Sequence, residues 1–201
     1  TSYFEFFSGM LQRDGVTLTG DVTPAYALLS ADRLAWIRAG FEERGVRPLA
    51  VFVIRDPVER VWSAVRMQQL RRPREAPATA TADELVVEFS GTPDQEARTR
   101  YDVTCRHLDL SFPAAQRRYV FFEELFGAKS LSSLCDFVGI VEQHALLDRR
   151  INASPKADQD SLSEEAQRSV AHHFRDVYTD MAARFGTDVI RHHWASSRFV
   201  L

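Results

Sequence analysis

The run Leu49-Ala50-Val51-Phe52-Val53-Ile54-Arg55-Asp56-Pro57-Val58-Glu59-Arg60-Val61-Trp62-Ser63-Ala64-Val65-Arg66-Met67-Gln68-Gln69 organises the rest of the chain. Leu49 to Ile54 is an unbroken apolar run rich in β-branched and aromatic residues, the pattern of a strand covered on both faces in a parallel sheet. It stops at Arg55. Asp56 offers an N-cap acceptor, Pro57 suits the first helical position, and Glu59 stands where a carboxylate completes a capping box, so a helix is predicted to start there. At about 100° per residue, Val58, Val61, Trp62 and Val65 share one face, while Ser63 falls on the other side, near the direction of Asp56. A helix that follows a strand turns its unpaired N–H groups and positive dipole end toward the strand's carboxyl edge, where open α/β sheets take ligands. Arg55 at that mouth and Ser63 about two turns along suit a phosphate held between guanidinium and hydroxyl. The same spacing also permits a ligand-free account, with Arg55 paired to a nearby carboxylate and Ser63 an ordinary polar-face residue.

Composition sets the frame around this stretch. With 201 residues the chain is one domain by length and can bury a sizeable core. Its 45% apolar and 26% charged content is ordinary for a globular protein, and a net charge of −3 with no basic tail or stripe argues against broad nucleic-acid or anionic-membrane binding. Any anion must therefore be gripped locally. No transmembrane span or signal peptide is read. Cys105 and Cys135 stand singly in predicted helices, without metal-ligand or disulfide spacing, and read as buried thiols in a reducing, cytoplasmic setting. His172-His173 and His192-His193 are adjacent pairs whose rings diverge on a helix, so no metal is assigned.

Along the chain, Thr1 to Leu11 is an aromatic, core-packing segment carrying Tyr3, Phe4, Phe6 and Phe7. Gly15 to Asp21 imitates a P-loop in its glycine spacing only, since Asp21 and Val22 follow the second glycine where Lys and Ser/Thr are needed. Val16 to Val22 is expected as a strand, Thr23-Pro24 as a turn, and Ala31 to Arg44 as a helix. Arg71 to Ala82 has the composition of an exposed loop that either gates a binding site or merely connects. Asp83 to Ser90 reads as a short helix and Pro93 to Phe112 as a longer one, with Tyr101, Cys105, Leu108 and Phe112 at helical spacing. Arg118 to Leu125 makes a second buried strand, Ser130 to Val138 a helix closed by Gly139, and Ser161-Leu162-Ser163-Glu164 opens a last long helix running to about Phe185.

Arg55-Asp56-Pro57-Val58-Glu59-Arg60-Val61-Trp62-Ser63 resembles the 3′-phosphate-binding segment of sulfotransferases that use 3′-phosphoadenosine 5′-phosphosulfate (PAPS), where Arg and Ser at these places grip the donor's 3′-phosphate. Gly20-Asp21-Val22-Thr23-Pro24-Ala25-Tyr26 resembles the Gly-Glu-x-Thr/Ser-Pro-x-Tyr segment that borders the acceptor pocket in sugar-acting members and their bacterial relatives, with Asp for the usual Glu. Thr1-Ser2-Tyr3-Phe4 resembles the tail of a Lys-Glu-x-x-Tyr/Phe-Phe segment. The likeness runs from Thr1 to Trp194 and implies an α/β, P-loop-NTPase-like sulfotransferase fold, a central mostly parallel sheet flanked by helices, in a single domain over residues 1–201.

By the same resemblance, Arg55, Ser63 and Lys156 bind the donor, with Asn152 and Ser154 as weaker candidates in the Lys156 loop. Asp21 and Tyr101 border the acceptor, and Asp21 is a weak candidate for the base, the family's glutamate being expected just before Thr1. PAPS is the implied donor, 3′,5′-adenosine bisphosphate the product, and a glycan or small-molecule hydroxyl or amine the acceptor, with no metal. The family's Gly-rich loop that wraps the 5′-phosphosulfate has no counterpart here, because Lys129 and Lys156, the two lysines, both come late in the chain. A strand–loop–helix unit of about 30 residues is therefore expected ahead of Thr1. A kinase-like phosphoryl transferase and a non-catalytic nucleotide-binding domain are the alternatives.

Overall fold

The computed structural model describes residues 2–70, 80–141 and 161–201. Its elements in chain order are α1 (Tyr3–Leu11), α2 (Ala31–Glu42), β1 (Ala50–Ile54), α3 (Pro57–Leu70), α4 (Ala82–Ser90), α5 (Pro93–Thr99), α6 (Tyr101–Ser111), β2 (Arg117–Phe121), α7 (Ala128–Val138), α8 (Glu164–His173), α9 (Arg175–Phe185) and α10 (Thr187–His193), with short 3₁₀ turns at Pro24–Leu28, Ala114–Gln116 and Ala195–Phe199. The protein is mixed α/β and mostly helical, and among the described residues its sheet is a single parallel pair. The chain divides into two compact units: residues 1–54 with 103–145, and residues 55–102 with 146–201. No helix among the described residues is long and apolar enough to cross a membrane.

In the first unit β1 and β2 run in register from Ala50 opposite Arg117 to Ile54 opposite Phe121, and Phe122 N–H continues the ladder to Ile54 O at 2.8 Å. Phe52 and Tyr119 pack on a core of Leu34, Leu108 and Phe112. The expectation of a strand covered on both faces is corrected: Val51 and Val53 are 41% and 40% exposed, because alternate residues of a strand face opposite ways and only the Phe52 face meets that core. Polar ties join α6 to what precedes α2 and to α2 itself. Thr104 Oγ1 donates to Ala27 O at 3.0 Å, Ser111 Oγ to Ala31 O at 2.8 Å, and Arg38 Nε to Ser111 O at 2.7 Å. α7 closes on Gly139 in the left-handed conformation (φ 77°), as its sequence foretold.

Two expectations in this unit change. Val16 to Val22 forms no strand; it has no ladder partner, and Val22 is 98% exposed. Tyr3–Leu11 is a regular helix, opened by a capping box between Ser2 and Glu5, and of its aromatic side chains only Phe4 is buried. The ring of Phe4 lies over Gly40 of α2, where an added Cβ would sit 2.4 Å from Phe4 Cζ.

Among the described residues the regular elements of the second unit are all helical. α3, α4 and α8 pack against one another, and Val58, Val61, Trp62 and Val65 of α3 are all buried, as their spacing requires. Val86, Val170, Val177, Tyr178, Met181, Ile190 and Trp194 complete this core, with Tyr178 edge-on to Trp194 at 5.4 Å. The long helices expected over 93–112 and 161–185 are each two helices. The first breaks at Arg100, whose ψ of 66° leaves the helical region. The second breaks at Phe174 (φ −99°, ψ 21°), whose ring is driven into the core at the turn. α10 was not foreseen.

Candidate functional site

The start of α3 is built around Asp56, which is 1% exposed. Its Oδ1 accepts from Val58 N–H at 3.0 Å, the N-cap bond read from the sequence, and also from the Tyr178 hydroxyl at 2.6 Å. Its Oδ2 accepts from Ser196 N–H at 2.9 Å. Burial, with the Asp56 charge beside it, pushes the Tyr178 hydroxyl well above the usual tyrosine range. Tyr178 and Ser196 lie 122 and 140 residues away in the chain, so no local pattern announces them. The carboxylate thus fixes where α3 begins, and with it the position of Arg55.

Arg55 is half-buried and its Nη2 lies 3.1 Å from Glu59 Oε2. The carboxylate partner allowed for in the ligand-free account is therefore present. It is half exposed, and such a pair contributes roughly 0–1 kcal/mol, little to set against a doubly charged phosphate. Glu59 and Ser63 are one turn apart on α3, which brings Arg55 to the side of the helix that carries the half-buried Ser63, away from the valine face. One turn before Ser63, Arg60 donates from Nη1 and Nη2 to Gln95 Oε1 at 2.8 and 3.0 Å, and burial lowers its pKa from the ordinary arginine value. One turn after it, Arg66 lies over the Trp62 ring, 5.3 Å from the centroid. Arg60 and Arg66 were not singled out in the sequence, where they look like polar-face residues of an amphipathic helix.

Tyr101, expected beside an acceptor, is 3% exposed and packs at 6.0 Å from Trp194. Its side chain belongs to the core of the second unit, the reading its helical spacing equally allowed. Asn152, Ser154 and Lys156 lie outside the described residues, as do residues 71–79 of the proposed gating loop.

In the first unit Asp21 is exposed and accepts from Thr23 Oγ1 at 2.6 Å and from the Tyr26 hydroxyl. The Tyr3 hydroxyl is 2.8 Å from that of Tyr26 and, with the Tyr26 proton committed to Asp21, is the donor of that pair. The bond from Thr23, then that from Tyr26, holds the Asp21 carboxyl below the usual carboxylate range. Burial and the Asp21 bond move Tyr26 the opposite way. Asp21 is thus stabilised as an acceptor of hydrogen bonds and weakened as a base. Farther along, a cavity of about 420 Å³ where β2 meets α7 brings Arg118, Lys129, Ser130 and Ser133 together with Glu123 and Glu124. Its mixed charge does not select an anion.

Cys105 and Cys135 are both buried, and neither is in a disulfide among the described residues. The chain matches no protein-family profile, no curated protein and no solved structure.

Proposed function

We propose that the chain is a PAPS-dependent sulfotransferase domain that transfers a sulfuryl group to a hydroxyl or amine of a carbohydrate or small molecule. The observation that carries this reading is the order of residues on α3. A guanidinium precedes the helix, a buried carboxylate pins its first turn, four apolar residues anchor one face, and a hydroxyl stands on the other side. Arg55 and Ser63 touch no reacting atom. They hold the donor's 3′-phosphate and so keep the remote phosphosulfate in register.

In the reaction the acceptor oxygen bonds to sulfur as the bond from sulfur to the 5′-phosphate oxygen breaks, and 3′,5′-adenosine bisphosphate leaves with the electron pair. The acceptor proton passes to a general base. The bonds from Thr23 and Tyr26 favour the Asp21 anion and so weaken it as that base, and its proposed part is to orient an acceptor hydroxyl.

Calorimetric titration with 3′,5′-adenosine bisphosphate tests the donor reading without requiring turnover. Arg55→Ala removes a charge-assisted contact and is expected to cost on the order of 2–4 kcal/mol of binding. Unchanged affinity in that variant refutes it. Preference for ATP with Mg²⁺ over the bisphosphate assigns the chain to phosphoryl transfer instead, and binding without transfer supports a nucleotide-binding domain.

A further inference from the structure

Ser63 is flanked on α3 by two guanidiniums that no carboxylate neutralises. Arg60 and Arg66 stand three residues before and three after it, and among the described residues neither enters an ion pair. Three of the chain's helical arginines have acids one turn away, at Arg38–Glu42, Arg98–Asp94 and Arg168–Glu164. Here that position is denied. The residue four before Arg66 is Trp62, and the one four before Arg60 is Asp56, whose two oxygens are committed to Val58, Tyr178 and Ser196. Arg60 settles for the neutral amide of Gln95, while the neighbouring Asp94 is taken by Arg98 at 2.9 Å. Arg66 is held against Trp62 with its Nε buried and, among the described residues, without a hydrogen-bond partner.

A buried charged donor left unpaired is costly, and half-buried charges are screened less than exposed ones. Arg55, Arg60 and Arg66 stand against the carboxylates of Asp56 and Glu59, an excess of positive charge around one hydroxyl. We infer that Arg66 is a third contact to the anion assigned to Arg55 and Ser63, with Arg60 adding to the positive potential, and that the group they select is a phosphomonoester dianion. The inference rests on the donor-binding reading of α3. A terminal phosphate offers three oxygens, one for the Ser63 hydroxyl and two for the guanidinium forks, and the local excess of positive charge favours an anion there. A phosphodiester, with two free oxygens, cannot serve all three.

The test follows arginine Nε–Hε signals by nitrogen-15 NMR during titration with 3′,5′-adenosine bisphosphate, inorganic phosphate and adenosine 3′,5′-cyclic monophosphate. The first two are expected to move the Arg66 signal and the cyclic diester to leave it in place. Arg66→Ala should weaken the bisphosphate by roughly tenfold to a hundredfold, and Arg66→Lys by less. Should Arg66→Ala fail to fold, the Arg66 signal of the native chain and the lysine variant still decide. If the alanine variant is folded and binds the bisphosphate as tightly as the native chain while Arg55→Ala does not, the role of Arg66 is refuted and the donor reading stands. If the bisphosphate does not bind but inorganic phosphate still shifts Arg66, the donor reading fails and the anion site stands. A signal unmoved by either phosphate overturns the inference.

Discussion

Replacing Asp56 by alanine strands three buried donors at once: Val58 N–H, the Tyr178 hydroxyl and Ser196 N–H. Each unsatisfied buried group costs about 1–3 kcal/mol. Because the three share one acceptor their costs do not add, and the expected loss is on the order of 4 kcal/mol. For a chain of this length that lowers the melting temperature by roughly 10 °C. Asp56→Asn keeps the shape. Its amide oxygen still serves Val58 and Tyr178, but its NH₂ then faces Ser196 N–H, donor against donor, for about half that cost. Tyr178→Phe removes a single bond and should cost about 1–2 kcal/mol. Trp62 and Trp194 are buried in the same unit, so tryptophan fluorescence during urea unfolding reports the relevant transition. The order expected is Asp56→Ala, then Asp56→Asn, then Tyr178→Phe. An alanine variant within about 0.5 kcal/mol of the native chain, the range of an inconsequential surface change, would refute the account of Asp56 as the residue that sets the start of α3.

Two further outcomes are expected. Gly40→Ala drives a methyl into the Phe4 ring, an overlap costing about 1–3 kcal/mol that outweighs the roughly 1 kcal/mol gained in helix propensity; chemical denaturation should show net destabilisation, partly relieved by Phe4→Leu in the same chain. Stability should also fall above about pH 10, the ordinary tyrosine value: the unfolded chain then loses its Tyr178 proton while the folded one, whose pKa is raised, keeps it, and the loss continues toward that raised pKa. Absorbance at 295 nm during alkaline titration should show tyrosine ionising together with unfolding, and Tyr178→Phe should flatten that limb.

Much of α3 was legible because its signals are local. The spacing of Val58, Val61, Trp62 and Val65 and the Asp56-Pro57 start depend on residues within a few turns of one another, and the helix obeys them. Gly139 ended α7 for the same reason. What failed were inferences that needed a distant partner. Val16 to Val22 carries a passable strand pattern, but a strand exists only beside another, and none reaches it. The turn at Phe174 is set by the core that receives its ring, and no proline or glycine marks it. At the proposed site, Arg55 and Ser63 stood out by their places at a strand end and two turns into the helix that follows, and through the resemblance. Arg66 was not, because an arginine becomes noteworthy only once its neighbours are seen to leave it uncompensated.

The reach of the Asp56 carboxylate has a temporal consequence. Its two long-range partners are separated from it by 122 and 140 residues, so on a ribosome the mouth of α3 stays unfinished until the chain has been made past Ser196. Fragments released before that point would carry Arg55 and Ser63 without the two distant bonds that help to set the start of their helix.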